Sequence, residues 1–562
     1  MRKLDKSAKL RLLYTALVAI LVFDALYAVI TVHGPTNLGE DDSYIERAFN
    51  VIHGQLNISF DSGYRPMQYL PIAAFYELFG INTYTSSAWN IIAFVGSVLL
   101  AFLIGKEVYS ANVGVLSSLL MSFFIIVVKD AATTGVEVAM MFLVSLAMLA
   151  LLYGRKRSSK KWMFAAGALF VAAPLTIPIG LVAVVAGTAY VLIELARKRI
   201  KLNLVAYLLV GMVAASMMVF AFGYIVANRP FAIVTATYAN VADLNFTNAV
   251  YGIIGTQPAW APGDRNDLFG FYLPFYPEQM FTYYTFQALF NELVSNNITL
   301  ASIWQQLASP GLNTGFYFDA AVIAIAYLLI RRDRRLYFPM VWFGMGIIFL
   351  QFFPQSINLS PFRYELIFRD TRYLTSIAVP TCVIISMALA RAVGTMRKRT
   401  KKSKGGTWRR NAGWATKLTL ASAAVLFLIL TSLPANLFWY NFVYTEYYSM
   451  NTIAHILTMV HSNTVVYYPS GDYPRMLIYT GDSRFLYLVT LDSITNCSQF
   501  LAGSYVIIPN ATINFAPQWP YITNTSKYCP NLHLVAAPYS NAFGQENMAF
   551  KNQQKLYYVA PS

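Results

Sequence analysis

The sequence predicts a multi-span α-helical membrane protein of about eleven transmembrane helices, with a small α/β domain at its C-terminal end. Of its 562 residues, 57% are hydrophobic and 12% are charged, and the mean hydropathy is +0.48. A soluble protein averages about 25% charged residues. Long apolar blocks recur as far as about residue 440. Together these observations exclude a soluble multidomain enzyme, a disordered chain and a collagen-like fibre, and three cysteines are too few for a disulfide scaffold.

Each predicted span is an apolar run of about 20 residues between polar connectors. The runs are 10–32, 84–108, 112–129, 133–153, 162–178, 180–196, 203–227, 316–330, 336–353, 374–394 and 415–437. The segment 162–196 is interpreted as a hairpin of two spans. Basic clusters lie at both of its ends, which requires an even number of crossings, and Pro174, Pro178 and Gly180 interrupt its middle.

The net charge of +16 is a signal of membrane topology. Most of the basic residues lie at the N-terminus and in alternate connectors, as they do in cytoplasmic loops. We therefore expect a multi-pass protein of the plasma membrane with a cytoplasmic N-terminus and an extracytoplasmic C-terminal domain. Its asymmetric charge predicts contact with membrane lipids and gives no reason to expect a nucleic-acid partner.

The predicted division is a transmembrane domain at 1–437 and an extracytoplasmic α/β domain at 438–562. Two large external loops, 33–83 and 228–315, belong to the first domain. Cys497 and Cys529 both lie in the tail, and an oxidising exterior would allow a disulfide between them. Cys382 falls inside a span, where packing is the simpler interpretation.

The first external loop begins with a cluster of acids, Glu40, Asp41 and Asp42, followed by Ser43, Tyr44 and Glu46. One interpretation is structural, because Ser43-x-x-Glu46 has the pattern of a capping box and acids favour a helix N-terminus. The other is a carboxylate base for a hydroxyl acceptor, since crowding of like charges raises a carboxyl pKa toward neutrality. The two interpretations are compatible, because a capped helix would hold the carboxylate still.

Cations on the external side run against the positive-inside trend. Arg65 precedes a short apolar stretch ending near residue 80 that is expected to lie in the interface, where it would contact lipid phosphate in general or the phosphate of a lipid substrate. Arg369 and Arg372 lie on a predicted short external loop, and guanidinium groups bind phosphate in a bidentate manner. Glu137 opens an otherwise apolar span, which makes it a candidate functional acid.

Other chemistries have little support. The five histidines lack metal-ligand spacing, and the chain contains no phosphate-binding glycine loop and no nucleophile elbow. No cofactor and no metal site are predicted, although a divalent cation beside the acid cluster stays an open alternative.

The ordered motifs resemble those of the GT-C membrane glycosyltransferases, and most closely the protein-mannosyltransferase and aminoarabinose-transferase branch. The resemblance covers roughly residues 10–395. It is carried by Asp41-Asp42-Ser43-Tyr44-Ile45, Arg65-Pro66-Met67-Gln68-Tyr69, Glu137 with Phe142 and Ala147, and Arg372-Tyr373-Leu374 followed by Pro380. The spacing to Ala48 and Gly54 is shorter than in a common variant of the first motif, so the base position falls on Asp41 or, with those residues aligned, on Glu40. The choice among Glu40, Asp41 and Asp42 stays open.

The resemblance implies an inverting transferase that moves one sugar, a hexose or a pentose, from a polyprenyl- or dolichyl-phosphate carrier. The acceptor would be a hydroxyl of a glycan, protein or lipid in the cell envelope. It implies that Asp41 is the base, with Asp42 or Glu40 positioning acceptor or sugar. Arg65, Arg372 and Arg369, with Tyr373, Glu137 and Tyr44 beside them, would form the donor site.

Two rival functions remain. A transporter or flippase of lipid-linked sugars would share the arginines and the intramembrane Asp24, yet it needs no external acid cluster, and the chain shows no internal repeat. An oligosaccharide-block transferase would need metal-binding acids and a sequon-recognition site in the tail, and neither is evident. Single-sugar transfer is the prediction.

Overall fold

The structure is a computed structural model. It describes residues 6–32, 40–55, 65–131, 133–228, 310–352, 354–359, 362–366, 371–402, 419–434 and 436, and in the tail 452–453, 455–457, 459, 464–468, 486–490, 497–509, 529, 531–537 and 554–561. At some helix and strand positions, among them 40–42, 354–359, 362–366 and 394–402, only the backbone is described. The predicted loop 228–315 and Arg369 therefore lie almost wholly outside the described residues.

The described part of the first 437 residues is predominantly helical. Its helices are α1 (Lys6–Ile30), α2 (Glu40–Ile52), α3 (Pro66–Phe79), α4 (Thr83–Val108), α5 (Ala111–Ser122), α6 (Ile125–Val128), α7 (Val136–Lys156), α8 (Lys160–Ala172), α9 (Val182–Ala196), α10 (Leu202–Ala227), α11 (Pro310–Ile330), α12 (Tyr337–Phe352), α13 (Ala378–Lys402) and α14 (Thr419–Pro434). A 3-10 helix, Thr371–Ile377, leads directly into α13.

These helices make the chain a multi-span membrane protein. Among the described residues, seven segments are long and apolar enough to cross a bilayer: Leu10–Ile30, Thr83–Val108, Val136–Lys156, Pro178–Ala196, Leu202–Val226, Asn313–Ile330 and Arg372–Val393. The other four predicted spans coincide with the shorter helices α5, α8, α12 and α14. The total of eleven spans stays a prediction.

The predicted break inside 162–196 is present. Between α8 and α9 the chain forms two short 3-10 turns, Ala173–Leu175 and Pro178–Leu181. A Cβ at Gly180 would overlap the carbonyl of Ala173, so the two turns meet where only a glycine fits. This close approach lets α8 and α9 form the arms of a hairpin.

Two helices of the first loop, α2 and α3, pack against each other, and α3 also packs against the span α4. In α3, Pro66 occupies the first turn, where its missing N–H costs no hydrogen bond. One face of α3 is buried against the bundle through Tyr69, Ile72 and Tyr76, while its C-terminal end is exposed. The stretch that the sequence places in the interface is therefore a half-buried helix with one polar, fully buried residue, Gln68.

Two sheets complete the described structure. The first is the antiparallel pair β1 (Pro354–Leu359) and β2 (Phe362–Leu366), which precedes the 3-10 helix at 371–377. The sequence predicts that Arg363-Tyr364-Glu365 lie on the same short external connector as Arg369 and Arg372, and within this connector the three residues belong to β2, where Arg363 pairs with Asn358 of β1. Alternating apolar and polar residues over a short stretch give little warning of a two-stranded hairpin.

The tail contains a five-stranded mixed sheet. Its strands are β3 (Thr464–Tyr468), β4 (Leu486–Thr490), β5 (Tyr505–Pro509), β6 (Leu532–Ala536) and β7 (Gln554–Val559), in the spatial order β4-β3-β5-β7-β6. The sequence predicts strands at the apolar runs 464–468, 505–508, 532–535 and 556–559, and β3, β5, β6 and β7 match these runs to within about two residues. Apolar residues on both faces are buried, Val466 and Ile507 on one and Val506 and Tyr557 on the other. The assignment of 438–562 as a separate extracytoplasmic domain stays a prediction.

The structure describes the side chains of two of the three cysteines. Cys382 is a free thiol buried in α13, which agrees with a packing role. Cys529 is disulfide-bonded and buried beside β6. Its predicted pairing with Cys497, whose backbone lies in a 3-10 turn, stays a prediction.

Candidate functional site

The acid cluster forms the first turn of α2. The helix begins at Glu40, so that Ser43 lies inside it and does not cap it, and the capping-box interpretation is wrong. Acids in a first turn are still favoured by the helix dipole. The side chains of Glu40, Asp41 and Asp42 lie outside the described residues. Their backbone positions come one turn before Tyr44, Ile45 and Glu46, of which the first two are buried and the last is exposed.

Arg65 connects α2 to α3. It is only 8% exposed and stands at the N-terminal boundary of α3. Its guanidinium donates a hydrogen bond to the Tyr44 hydroxyl and lies 5.6 Å from the centre of the Tyr44 ring. Two site residues predicted from different motifs, Tyr44 and Arg65, are therefore in direct contact.

The helix α2 contains a second buried arginine, Arg47. Arg47 of α2 is buried, and its charge acts on the phenol of Tyr69 in α3. Burial raises the pKa of Tyr69 well above the ordinary value, and the Arg47 guanidinium offsets part of that rise. Sequence reasoning passed over Arg47, because an arginine inside an amphipathic helix is usually exposed.

Glu137 and Arg372, two further predicted site residues, form an ion pair. Arg372 Nη1 lies 3.4 Å from Glu137 Oε1, and the side chains are 24% and 5% exposed. The Arg372 guanidinium also lies 5.4 Å from the centre of the buried Tyr373 ring. Glu137 is in the first turn of α7 and Arg372 in the 3-10 helix before α13, so residues 235 positions apart meet at one end of the bundle.

Two buried amide side chains, Gln68 and Asn90, lie at the start of α7, and although Gln68 belongs to one of the quoted motifs, no role for either amide is predicted from the sequence. Gln68 Nε2 lies 2.7 Å from the carbonyl oxygen of Thr134, 3.3 Å from that of Gly135 and 3.2 Å from Asn90 Oδ1. Asn90 Nδ2 donates to Gly135 O at 2.5 Å. Both amides are buried. An uncharged amide in an apolar helix carries no charge or spacing signal, and only its spatial neighbours reveal its role.

Asp24 is a buried carboxyl in the first span. It is 1% exposed and accepts a hydrogen bond of 2.7 Å from the Ser122 hydroxyl of α5. An intramembrane acid marks a functional candidate by default. The hydrogen bond also fixes α1, whose surface is otherwise largely exposed, to the bundle.

The arrangement offers two guanidinium groups that could bind a phosphate. Arg65 and Arg372 supply charge-assisted donors, and Tyr44, Glu137 and Tyr373 hold them in place. Within the described residues no group of three or more His, Cys, Asp or Glu side chains could hold a metal ion. The side chains of residues 40–42, beside which a cation would bind, are outside that set.

The fold is the GT-C fold of membrane glycosyltransferases. Its similarity to crystal structures of ArnT from Cupriavidus metallidurans supports this, at 12% identity in each case. The structure bound to undecaprenyl phosphate matches with a TM-score of 0.56 over 97% of this chain and 99% of that chain. The apo structure matches with a TM-score of 0.53 over 97% and 98%. The predicted resemblance to this class is confirmed.

Other comparisons match a smaller part of the chain or give a lower TM-score. The family model of dolichyl-phosphate-mannose-protein mannosyltransferases matches residues 64–223, a stretch that holds Arg65, Gln68, Asn90 and Glu137. The apo oligosaccharyltransferase of Archaeoglobus fulgidus, 13% identical over 88% of this chain and 69% of that chain, gives a TM-score of 0.48, which is too low to carry an argument. A search of the curated proteins gives no match.

Proposed function

We propose that the chain is an inverting glycosyltransferase that moves a single sugar from a polyprenyl- or dolichyl-phosphate carrier to a hydroxyl acceptor. The GT-C fold and the match to the mannosyltransferase family support a membrane glycosyltransferase. The ArnT structure bound to undecaprenyl phosphate supports a lipid phosphate as carrier. Transfer on the outer face of the plasma membrane, with the N-terminus in the cytoplasm, follows from the charge asymmetry and belongs to the same proposal.

The observation that carries the proposal is the pair of cations at one end of the bundle. Arg65 and Arg372 each come from a different motif, and each is held by an aromatic or acidic neighbour. Arginine in a largely apolar setting is costly unless a partner or ligand compensates it. A lipid phosphate at the membrane surface provides such compensation, and Arg369 is a further candidate cation beside Arg372.

Asp41 is the proposed base. Position 41 lies one turn before both Tyr44 and Ile45, so it shares the buried face of α2 that contacts Arg65. Position 42 precedes the exposed Glu46 by one turn and lies further from that face. Glu40 and Asp42 would position the acceptor or the sugar.

The reaction is a single displacement. The acceptor oxygen attacks the anomeric carbon of the sugar while the bond from that carbon to the phosphate oxygen breaks. The electron pair of the broken bond stays on the phosphate, where Arg65 and Arg372 stabilise the added charge. The hydroxyl proton passes to the Asp41 carboxylate. A phosphate is a good leaving group, so no general acid is required.

Sugar transfer by the purified protein in detergent tests the proposal. Radiolabelled polyprenyl-phosphate sugars are the donors, a crude membrane extract supplies acceptors, and wild type is compared with Asp41→Asn. Glu46→Gln is the matched control, because it removes an exposed carboxyl from the same helix. We expect label transfer by wild type and Glu46→Gln and loss of at least a hundredfold with Asp41→Asn, since general-base groups contribute about 10²–10⁴.

Full activity of Asp41→Asn would remove Asp41 as the base and move the role to Glu40 or Asp42. Absence of transfer by every variant, together with passage of labelled lipid across vesicles that contain the protein, would favour the flippase. In that case Asp24, hydrogen-bonded to Ser122 inside the bundle, is the acid that a transporter would use.

A further inference from the structure

The amide side chains of Gln68 and Asn90 lie where burial of a polar group costs free energy. Both side chains are buried, and a buried amide costs free energy unless its polar atoms find partners. Their NH₂ groups face the carbonyl oxygens of Thr134 and Gly135, and they also bond to each other. Both therefore bind one short piece of backbone that belongs to neither of their own helices.

That piece of backbone sets the start of α7. Gly135 is the residue before α7 and has no side chain to cap the helix. Its N–H donates to the Thr133 hydroxyl, and Thr133 in turn donates to the carbonyl of Asp130. With the carbonyls of 134 and 135 bound by Gln68 and Asn90, the first turn of α7 is fixed from outside. Glu137 lies in this turn and is ion-paired with Arg372.

The backbone of Gln68 is bonded directly to the other arginine. The backbone N–H of Gln68 donates to the carbonyl of Arg65 at 3.0 Å, within the first turn of α3. A continuous series of contacts therefore runs from Arg65 through Gln68 to Gly135, and from the first turn of α7 through Glu137 to Arg372. Each link is a hydrogen bond, an ion pair or a turn of helix.

We propose that Gln68 and Asn90 are positioning residues that set the separation of Arg65 and Arg372, so that both can bind one phosphate. This inference rests on the proposed function, because it takes the two arginines as the donor site. Two guanidinium groups contact one phosphate only if their spacing matches it, and a displacement of about 1 Å is enough to lose much of the benefit. The amides touch neither substrate nor reacting atoms.

The central experiment measures binding of undecaprenyl phosphate to purified protein, beside the thermal midpoint of unfolding. Gln68→Met keeps the shape of the side chain and removes its donors. Gln68→Glu keeps polarity but places a carboxylate against two carbonyls. We expect each variant to weaken binding about tenfold, which corresponds to about 1.4 kcal/mol. In transfer assays the loss should appear mainly in the donor KM, with kcat changed much less.

Asn313→Leu is the matched control. Asn313 is also a buried amide that joins separate helices, since it accepts from the Ile125 N–H and its Nδ2 faces Leu428 O and Thr431 Oγ1. The variant Asn313→Leu should lower the thermal midpoint about as much as Gln68→Met does, while its binding of undecaprenyl phosphate stays within twofold of wild type. A purely structural role of Gln68 would make the two variants alike in both measurements, and that result would overturn the inference.

A double-mutant cycle tests the route of the effect. If Gln68 acts through the position of Arg372, adding Gln68→Met to Arg372→Ala should weaken binding by less than twofold further. Fully additive losses would mean that Gln68 does not act through Arg372. Wild type that binds undecaprenyl phosphate but transfers no sugar would remove the proposed function alone, because the binding measurements still decide the positioning role. If wild type does not bind undecaprenyl phosphate, both the proposed function and the positioning role are overturned.

Discussion

The ion pair between Glu137 and Arg372 connects α7 to the 3-10 helix before α13, and the proposed function gives Arg372 a second role in binding the donor phosphate. Glu137 is almost fully buried, whereas about a quarter of Arg372 is exposed. Removal of one partner from a buried pair leaves an uncompensated charge, which is usually more costly than removal of both. The pair therefore offers a way to separate protein stability from binding of the donor.

We expect Arg372→Ala to lower both stability and affinity for the lipid donor. The loss of stability should be about 2 kcal/mol, less than for a fully buried pair because Arg372 is partly exposed. In Glu137→Gln/Arg372→Ala the isolated carboxylate is gone, so the thermal midpoint should recover at least half of that loss while the donor KM stays high. Recovery of both quantities in the double variant would show that Arg372 acts on stability alone.

Sequence reasoning reached the charged residues of the site and missed the amides. Arg65, Arg372 and Glu137 stand out because charge at the outer end of an apolar span is unusual. Gln68 and Asn90 carry no such contrast, and their shared partner Gly135 lies 67 and 45 residues away in the chain. Only the packing of α3 and α4 on the start of α7 brings them together.

At the scale of elements, α8 and α10 are in backbone contact. A Cβ on Gly167 would overlap the carbonyl oxygen of Leu208, and one on Gly211 would overlap that of Phe164. Small residues at such crossings let helices approach closely, which strengthens van der Waals packing where lipid supplies little drive for association. The two glycines lie on opposite sides of one interface, and their lack of a side chain explains why α8 and α10 approach so closely.

Gly167→Ala should therefore destabilise the protein, by about 1–3 kcal/mol as overpacking typically does. The opposing atoms are backbone and cannot rotate away, so α8 and α10 would have to separate. Gly344→Ala in α12 is the control, since nothing lies within 4 Å of its added Cβ, and it should be neutral or slightly stabilising. Thermal midpoints of the purified variants test the difference, and equal midpoints would contradict close packing at Gly167.

The connector between α11 and α12 contains a charge cluster that responds to pH. Asp333 accepts hydrogen bonds of 2.9 and 2.7 Å from Arg335, and Arg391 of α13 lies 3.7 Å away. The hydrogen bonds from Arg335 hold the pKa of Asp333 below its ordinary value. Arg335 itself lies over the ring of Tyr109 at the end of α4, so the cluster joins three helices.

A carboxyl whose pKa is lowered by folding stabilises the folded state above its unfolded-state pKa of about 4. That contribution is lost as the pH falls toward the lower pKa of the folded state. It should be roughly 1 kcal/mol or less, because Arg335 is partly exposed. Asp333→Asn should lower the thermal midpoint at neutral pH and make it less sensitive to acid than wild type. Equal acid sensitivity of the two proteins would show that Asp333 contributes nothing.

For the whole molecule, hydropathy predicted the positions of the spans better than their lengths. All eleven predicted runs coincide with helices, including the hairpin broken at Pro174, Pro178 and Gly180. Helix α5 is shorter than a full crossing, because the helix is interrupted between Ser122 and Ile125 before the apolar run continues in α6. The β1–β2 hairpin was missed because apolar and polar residues alternate only over the short strand β2, and β1 does not show the same pattern.

Contacts between side chains show which connectors lie at the same end of the bundle. Lys106 at the end of α4 donates to Tyr14 near the start of α1, and the connector after α7 contacts Glu107, whereas Gln68, Glu137 and Arg372 gather at the opposite end. Most basic residues belong to the first side. The positive-inside rule predicts that this side is cytoplasmic and that the candidate site lies outside.

Cysteine labelling checks this orientation in intact cells of an expression host. Gln55 follows α2 and Ser158 lies in the connector after α7, and both are exposed. A membrane-impermeant maleimide should label Gln55→Cys in intact cells and Ser158→Cys only after permeabilisation. Wild type is the background control, since Cys382 is buried and Cys529 is disulfide-bonded. The reverse pattern would place Arg65 and Arg372 on the cytoplasmic face, where the donor would have to be bound before any flipping across the membrane.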